Sequence, residues 1–121
     1  MMIKTVDHVQ LSMRADDTDA MRDFYLDVLA MIEVEKPHAL EARGGFWVKA
    51  GMMNIHFGVD DSFVAQKKPH IALGTDDLDD LAARFEQRNL AVTWDTKIPD
   101  IRRFFSVDPA GNRIELMEVR Q

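Results

Sequence analysis

The feature that most restricts the fold is an internal repeat. "HVQL", beginning at His8, returns as "HIAL", beginning at His70, and turn chemistry and an apolar helical pattern follow each. "AMRDFYLDVLAMIEV" (20–34) pairs with "DLAARFEQRNLAVTW" (80–94). Phe24 lies 16 positions after His8, and Phe85 lies 15 after His70. Each half then finishes on an apolar strand that carries a polar side chain, His56 in "MNIHFGV" and Glu115 in "NRIELMEV". The span from His8 to His56 is 48 positions and that from His70 to Glu115 is 45. Self-similarity at such a period marks one supersecondary unit built twice.

Local patterns give the unit its elements. Ile3 to Met13 reads as a strand. Asp16, Asp17 and Thr18 supply helix-start oxygens, and Met21, Phe24, Tyr25 and Val28 recur at helical spacing, which predicts a helix from about Thr18 to Ala30. Ile32 to Glu35 is a short strand stopped by Pro37. Gly44-Gly45 opens a strand through Val48, and the Ala50-Gly51 turn leads into Met53 to Val59. A polar loop covers 60–68. Pro69 to Leu73 is the next strand. Thr75 or Asp76 caps a helix with Leu78, Leu81, Ala82 and Phe85 on one face, and Asn89 is a left-handed cap after it. Strands follow at 91–96, 101–107 and 113–119, the last two joined by the turn cluster 108–112. The fold class is therefore α+β, with two βαβββ modules, one at about 1–60 and one at about 68–121, in a single domain.

Composition narrows the partners. The chain is 46% hydrophobic and 30% charged, with a net charge of −6, and no basic tract marks a nucleic-acid surface. It has no cysteine, which removes disulfides, thiolate ligands and a cysteine nucleophile. No apolar run approaches the roughly 18 residues of a membrane span, and the first residues lack the apolar core of a signal peptide. A cytoplasmic location without membrane contact is the expectation.

Strand periodicity selects the chemistry. Residues i and i+2 share a face. Val9, Leu11, Ile55, Phe57, Ile71, Leu73, Ile114 and Leu116 are the aliphatic and aromatic set that helices would cover. His8, Gln10, Asn54, His56, His70, Arg113 and Glu115 fall on the opposite face. Imidazoles and a carboxylate sharing a sheet face suggest a cup with its own chemistry.

"DHVQL", "DAMRDFYLDVLAM", "HIAL" and "DPAGNRIEL", in this order and spacing, resemble the vicinal oxygen chelate superfamily, which includes glyoxalase I, fosfomycin- and bleomycin-resistance proteins and extradiol dioxygenases. The resemblance covers nearly the whole chain. It implies that the two modules curl into a mixed-sheet cup around a divalent ion, Zn, Ni, Mn or Fe. Its ligands, carried over by position, would be His8, His70 and Glu115. His56 stands where glyoxalase I has a metal-binding glutamate that also serves as base, so it is read as a fourth ligand or as the catalytic base. Two neutral imidazoles and a carboxylate leave coordination positions open, and a small oxygen-rich substrate could chelate there. The resemblance implies a metal-dependent lyase, isomerase or dioxygenase; the alternative is a metal-free protein that sequesters a drug or metabolite in the same cup. Homodimers are common in the family, and one is expected here.

Each candidate also has a structural reading. A lone strand histidine is usually a satisfied polar residue, and His38 in "EKPHAL" keeps that reading. Gln10 and Asn54 either orient ligands or are satisfied polar groups. Trp47, Trp94, Phe104 and Phe105 either line an aromatic pocket or belong to the core. Arg102 and Arg103 either bind an anionic substrate or form a solvated edge. Met52, Met53 and Met117 fill space. The substrate-contact set read from the sequence is Gln10, Trp47, Asn54, Arg103 and Phe105.

Overall fold

A computed structural model describes residues 1–119. The expected span of the second module runs two residues further, outside the described residues. The chain divides into two compact units, Met1–Phe63 and a second that begins at Val64. Each holds one four-stranded mixed sheet.

In the first unit, β1 (Val9–Met13), β2 (Ile32–Val34), β3 (Phe46–Ala50) and β4 (Met53–Val59) take the order β1-β4-β3-β2. β1 runs parallel to β4, and β3 is antiparallel to both β4 and β2. In the second unit, β5 (His70–Thr75), β6 (Thr93–Asp95), β7 (Arg103–Val107) and β8 (Arg113–Glu118) repeat the arrangement as β5-β8-β7-β6. A parallel pair cannot be closed by a tight turn, so each unit needs its helical connection and two hairpin strands before the fourth strand returns beside the first.

The expected first strand, Ile3 to Met13, is shorter in the structure. The ladder with β4 joins only Val9 to Met13 with Ile55 to Val59. The residues before His8 have no ladder to join, and Met1, Met2, Ile3 and Val6 are exposed. β6 is also shorter than expected: it spans Thr93–Asp95 and pairs only Arg103, Phe104 and Phe105 of β7. The 60–68 loop and the β3–β4 turn fall where the sequence placed them. A short 3-10 turn over His38–Arg43 follows Pro37, where the sequence pattern carries no helix signal.

The first helical connection also departs from a plain α-helix. A 3-10 turn (Ala15–Asp17) leads into α1 (Thr18–Arg22), which widens into a π-helical turn over Asp23–Val28. Widening lets the adjacent Phe24 and Tyr25 both turn inward, at 2% and 0% exposure. It also absorbs an extra residue. Five positions separate Tyr25 from the left-handed Ala30, whereas four separate Phe85 from the left-handed Asn89. π-helix occurs mostly as single-turn bulges of this kind within α-helices. In the second unit, α2 (Leu78–Gln87) is regular. Its cap is Asp77, whose carboxylate accepts from the Asp80 N–H at 3.1 Å. Thr75 acts one step earlier, accepting from the Asp77 N–H, and Asp76 makes no cap.

The helices cover the aliphatic sheet faces. Tyr25 packs on Phe57 with centroids 4.5 Å apart, and Phe46 stacks on the same ring at 4.5 Å. In the second unit Phe85 meets Phe104 edge to face at 5.3 Å. Phe104, Ile114 and Leu116 are buried with Leu78. Gly45, at φ 79°, lets β3 approach β4: a Cβ there would sit 2.1 Å from the Phe57 carbonyl oxygen. Among the described residues, no helix is long and apolar enough to cross a membrane.

Candidate functional site

The faces away from the helices carry the polar groups in matched positions. In the second unit, cross-strand pairing aligns Ala72, Glu115, Phe105 and Thr93 in one row. In the first, it aligns Gln10, His56, Trp47 and Val34. His70 pairs with Arg113 in register, so Glu115 sits diagonally across from it on the same face, within reach of long side chains. His8 lies one residue ahead of β1, and continuing the register places it beside Asn54 with His56 on the diagonal. The repeat therefore matches His8, Asn54 and His56 with His70, Arg113 and Glu115.

The second-unit pair is tightly held. His70 Nδ1 is 3.0 Å from the Lys68 carbonyl oxygen, an acceptor, so Nδ1 carries the proton and donates it. Nε2 then faces Glu115 Oε1 at 3.1 Å. A neutral ring in that tautomer points a lone pair at a carboxylate oxygen. A second proton on the ring reconciles the two, and so does a cation bound by both. Glu115 is 7% exposed at its side chain, and its other oxygen accepts from Arg103 Nη1 at 3.2 Å. Arg103 also donates to Asp95 at 3.2 Å. The Lys97 backbone N–H holds the Asp95 carboxyl below the usual carboxylate range; burial opposes this, and Arg103 reinforces it.

The first-unit histidines are organised by stacking. The His56 ring lies flat on Trp47, with centroids 3.7 Å apart and planes 1° from parallel. On its other side it stacks with His8 at 4.0 Å and 17°. Loss of hydration, and then the neighbouring His8, lower the His56 pKa from the ordinary imidazole value, while Asp7 acts in the opposite sense. This favours the neutral ring that a ligand or a base requires. His8 Nδ1 donates to Asp7 Oδ2 at 2.8 Å, which directs Nε2 outward from that bond. A carboxylate or carbonyl accepting from the far nitrogen is the usual companion of a metal-binding histidine, and both His8 and His70 have one.

The donor set of two such histidines, a carboxylate and a neutral third imidazole suits a borderline divalent ion. Among the described residues these groups occur as pairs, and no group of three or more could hold an ion. His70 and Glu115 come from one module.

The remaining candidates separate by face. Gln10 folds over Gly58, where a Cβ would meet its amide nitrogen at 2.6 Å. Gln10, Trp47, Lys36 and Arg43 line a pocket of about 280 Å³. Asn54 shares the face, paired in register with Lys49. Phe105 meets the His70 ring edge to face at 5.5 Å. Phe104 is core, and Trp94 packs on it at 5.4 Å from the helix side. Arg102 is also on that side, bonded to Asp79 and Glu118 at 2.7 Å each. Neither Arg102 nor Arg103 presents an unpaired guanidinium to an anion. His38 pairs with Glu41 at 3.1 Å and is 97% exposed. Met52 is exposed at the β3–β4 turn and fills no space. Arg113 went unremarked in the sequence as a binding group, although the same period-two argument puts it on the face with Glu115.

A family model described as Glyoxalase/Bleomycin resistance protein/Dioxygenase superfamily matches residues 5–116. Among solved structures, a glyoxalase family protein from Bacillus anthracis is 36% identical, with a TM-score of 0.91 over 98% of this chain and 97% of that one. Lactoylglutathione lyase from Agrobacterium tumefaciens is 23% identical, with a TM-score of 0.71 over 98% and 96%. A mutant of the fosfomycin resistance protein FosX from Listeria monocytogenes, complexed with Mn(II) and 1S,2S-dihydroxypropylphosphonic acid, is 16% identical, with a TM-score of 0.83 over 98% and 95%. No curated protein matches.

Proposed function

The chain belongs to the glyoxalase/bleomycin resistance protein/dioxygenase superfamily, and on that premise we propose that it is a metal-dependent enzyme acting on a small oxygen-rich molecule. The observation that carries this reading is the His70–Glu115 pair. A buried carboxylate faces an imidazole nitrogen whose partner nitrogen is already committed to the Lys68 carbonyl. The proposed ligands are His8, His70 and Glu115, with His56 as the fourth. The FosX complex with Mn(II) supports a divalent ion as the cofactor. When bound, the ion supplies a Lewis acid that polarises a substrate oxygen. The chain's own residues do the rest. Lys68 and Asp7 fix the ring tautomers, Arg103 holds the Glu115 carboxylate in place, and Gln10, Asn54, Trp47 and Phe105 contact the substrate.

One observation favours a second reading, a metal-free binding cup. With a second proton on the His70 ring, both Glu115 oxygens accept hydrogen bonds, and the face is satisfied without an ion.

His56→Ala tests the four-ligand version. Removing a group that only orients a ligand weakens metal binding by roughly 10–100-fold; removing a ligand is expected to exceed that, as read by competition titration against a metallochromic dye. Wild-type affinity in this variant would contradict the ligand role and leave His56 as a general base.

We further propose a cytoplasmic homodimer. Each sheet ends in strands whose outer edges are unpaired within it, β1 and β2 in one and β5 and β6 in the other, and such edges invite pairing. Light scattering should give a mass near twice the 13.9 kDa chain. A 13.9 kDa species alone at micromolar concentration would contradict it.

A further inference from the structure

We propose that the pocket beside β7 in the second module takes the anionic group of the substrate, with Arg113 as its anchor. This rests on the reading that the neighbouring His70–Glu115 pair belongs to the reaction site. The pocket has a volume of about 630 Å³ and is lined by Lys67, Thr93, Trp94, Lys97, Phe105 and Arg113, among others. This is within the usual size for a small-molecule site.

Charge and partnership distinguish Arg113. Arg102 holds Asp79 and Glu118, and Arg103 holds Asp95 and Glu115. Arg113 pairs with no carboxylate among the described residues. Its guanidinium instead lies over the Phe105 ring, 4.0 Å from the centroid. Stacking on an aromatic face fixes the plane of the fork while leaving its N–H edge available. Lys67 and Lys97 bring two more cations to the same pocket. The one carboxylate among its lining residues, Asp95, is already bonded to Arg103 and to the Lys97 N–H. A positive pocket in a chain of net charge −6 concentrates anions locally.

The connection to the polar face is short. His70 is the in-register partner of Arg113, and Phe105 carries Arg113 on its face and His70 at its edge. A substrate with a carboxylate, phosphate or phosphonate on Arg113 would lie within reach of the His70–Glu115 pair.

The probe is phenylphosphonate, titrated calorimetrically into protein treated with chelator, so the result does not depend on a metal. Binding should weaken as salt rises, and benzamide, a neutral analogue, should bind at least tenfold more weakly. A charge-assisted contact contributes about 1.5–3 kcal/mol, so Arg113→Met should weaken phenylphosphonate by roughly tenfold or more. Arg113→Lys keeps the charge but loses the fork, and should fall between. If Arg113→Met does not fold, the Lys67→Met/Lys97→Met double variant should still weaken binding and flatten its salt dependence. No binding of phenylphosphonate at millimolar concentration overturns the proposal, and so does binding that Arg113→Met leaves unchanged. Failure of the metal reading would appear separately, as phenylphosphonate binding to a protein that takes up no ion.

Discussion

Phe57→Ala is expected to remove about 3–5 kcal/mol of stability, a large part of the roughly 5–15 kcal/mol available to a domain. Phe57 is 2% exposed and joins the two halves of the first unit's core. Tyr25 of the π-turn packs on one part of its ring and Phe46 of β3 on another, each at 4.5 Å. Truncation loses the transfer energy of the ring and leaves a cavity that the flanking strands cannot close, because Gly45 already lets β3 lie against the Phe57 carbonyl. With typical slopes of about 1–3 kcal/mol per molar urea, the unfolding midpoint should fall by about 1 M or more. A loss below about 1 kcal/mol, the level of an ordinary surface change, would contradict the assignment of Phe57 as the centre of that core.

His70→Ala is expected to have the opposite profile, with a small change in stability and a large change in metal binding. The His70 side chain is 31% exposed and lies on the face away from α2, so its removal forms no sealed cavity. It does remove a proposed ligand, and affinity for a divalent ion should fall by more than about 100-fold, beyond the range of groups that only orient ligands. Glu115→Gln should follow it in metal titration. It keeps the shape of the side chain but loses the charge that Arg103 and the ion share. Metal affinity unchanged in both variants would exclude the pair as ligands.

The sequence carried the fold through the repeat and through period two. Ile55, Phe57, Ile114 and Leu116 alternate with polar neighbours, and a strand buried on one face has no other stable register. The strand ends were less legible, since β1 joins β4 only from Val9 although β4 begins at Met53, and no residue at 3–8 announces that. The π-turn was present only as a one-residue mismatch between the modules, from Tyr25 to Ala30 against Phe85 to Asn89. A capping competition among Thr75, Asp76 and Asp77 was decided by backbone geometry rather than residue type. The arginines show the limit most clearly. Arg102, Arg103 and Arg113 are alike as letters. Arg103 is consumed because β6 brings Asp95 beside it, and Arg113, which lies over Phe105, pairs with no carboxylate among the described residues. Those partners are set by tertiary pairing over 8 or more positions.

The central proposal is that the His70–Glu115 pair helps to hold a divalent ion. Metal analysis of protein purified without chelator and without a nickel column tests it most directly. The account predicts near-stoichiometric divalent metal that is lost on chelator treatment, is restored by one of Zn, Ni, Mn or Fe, and is absent from the His70→Ala protein. A folded wild-type protein that carries no divalent metal and takes none up on titration would contradict it.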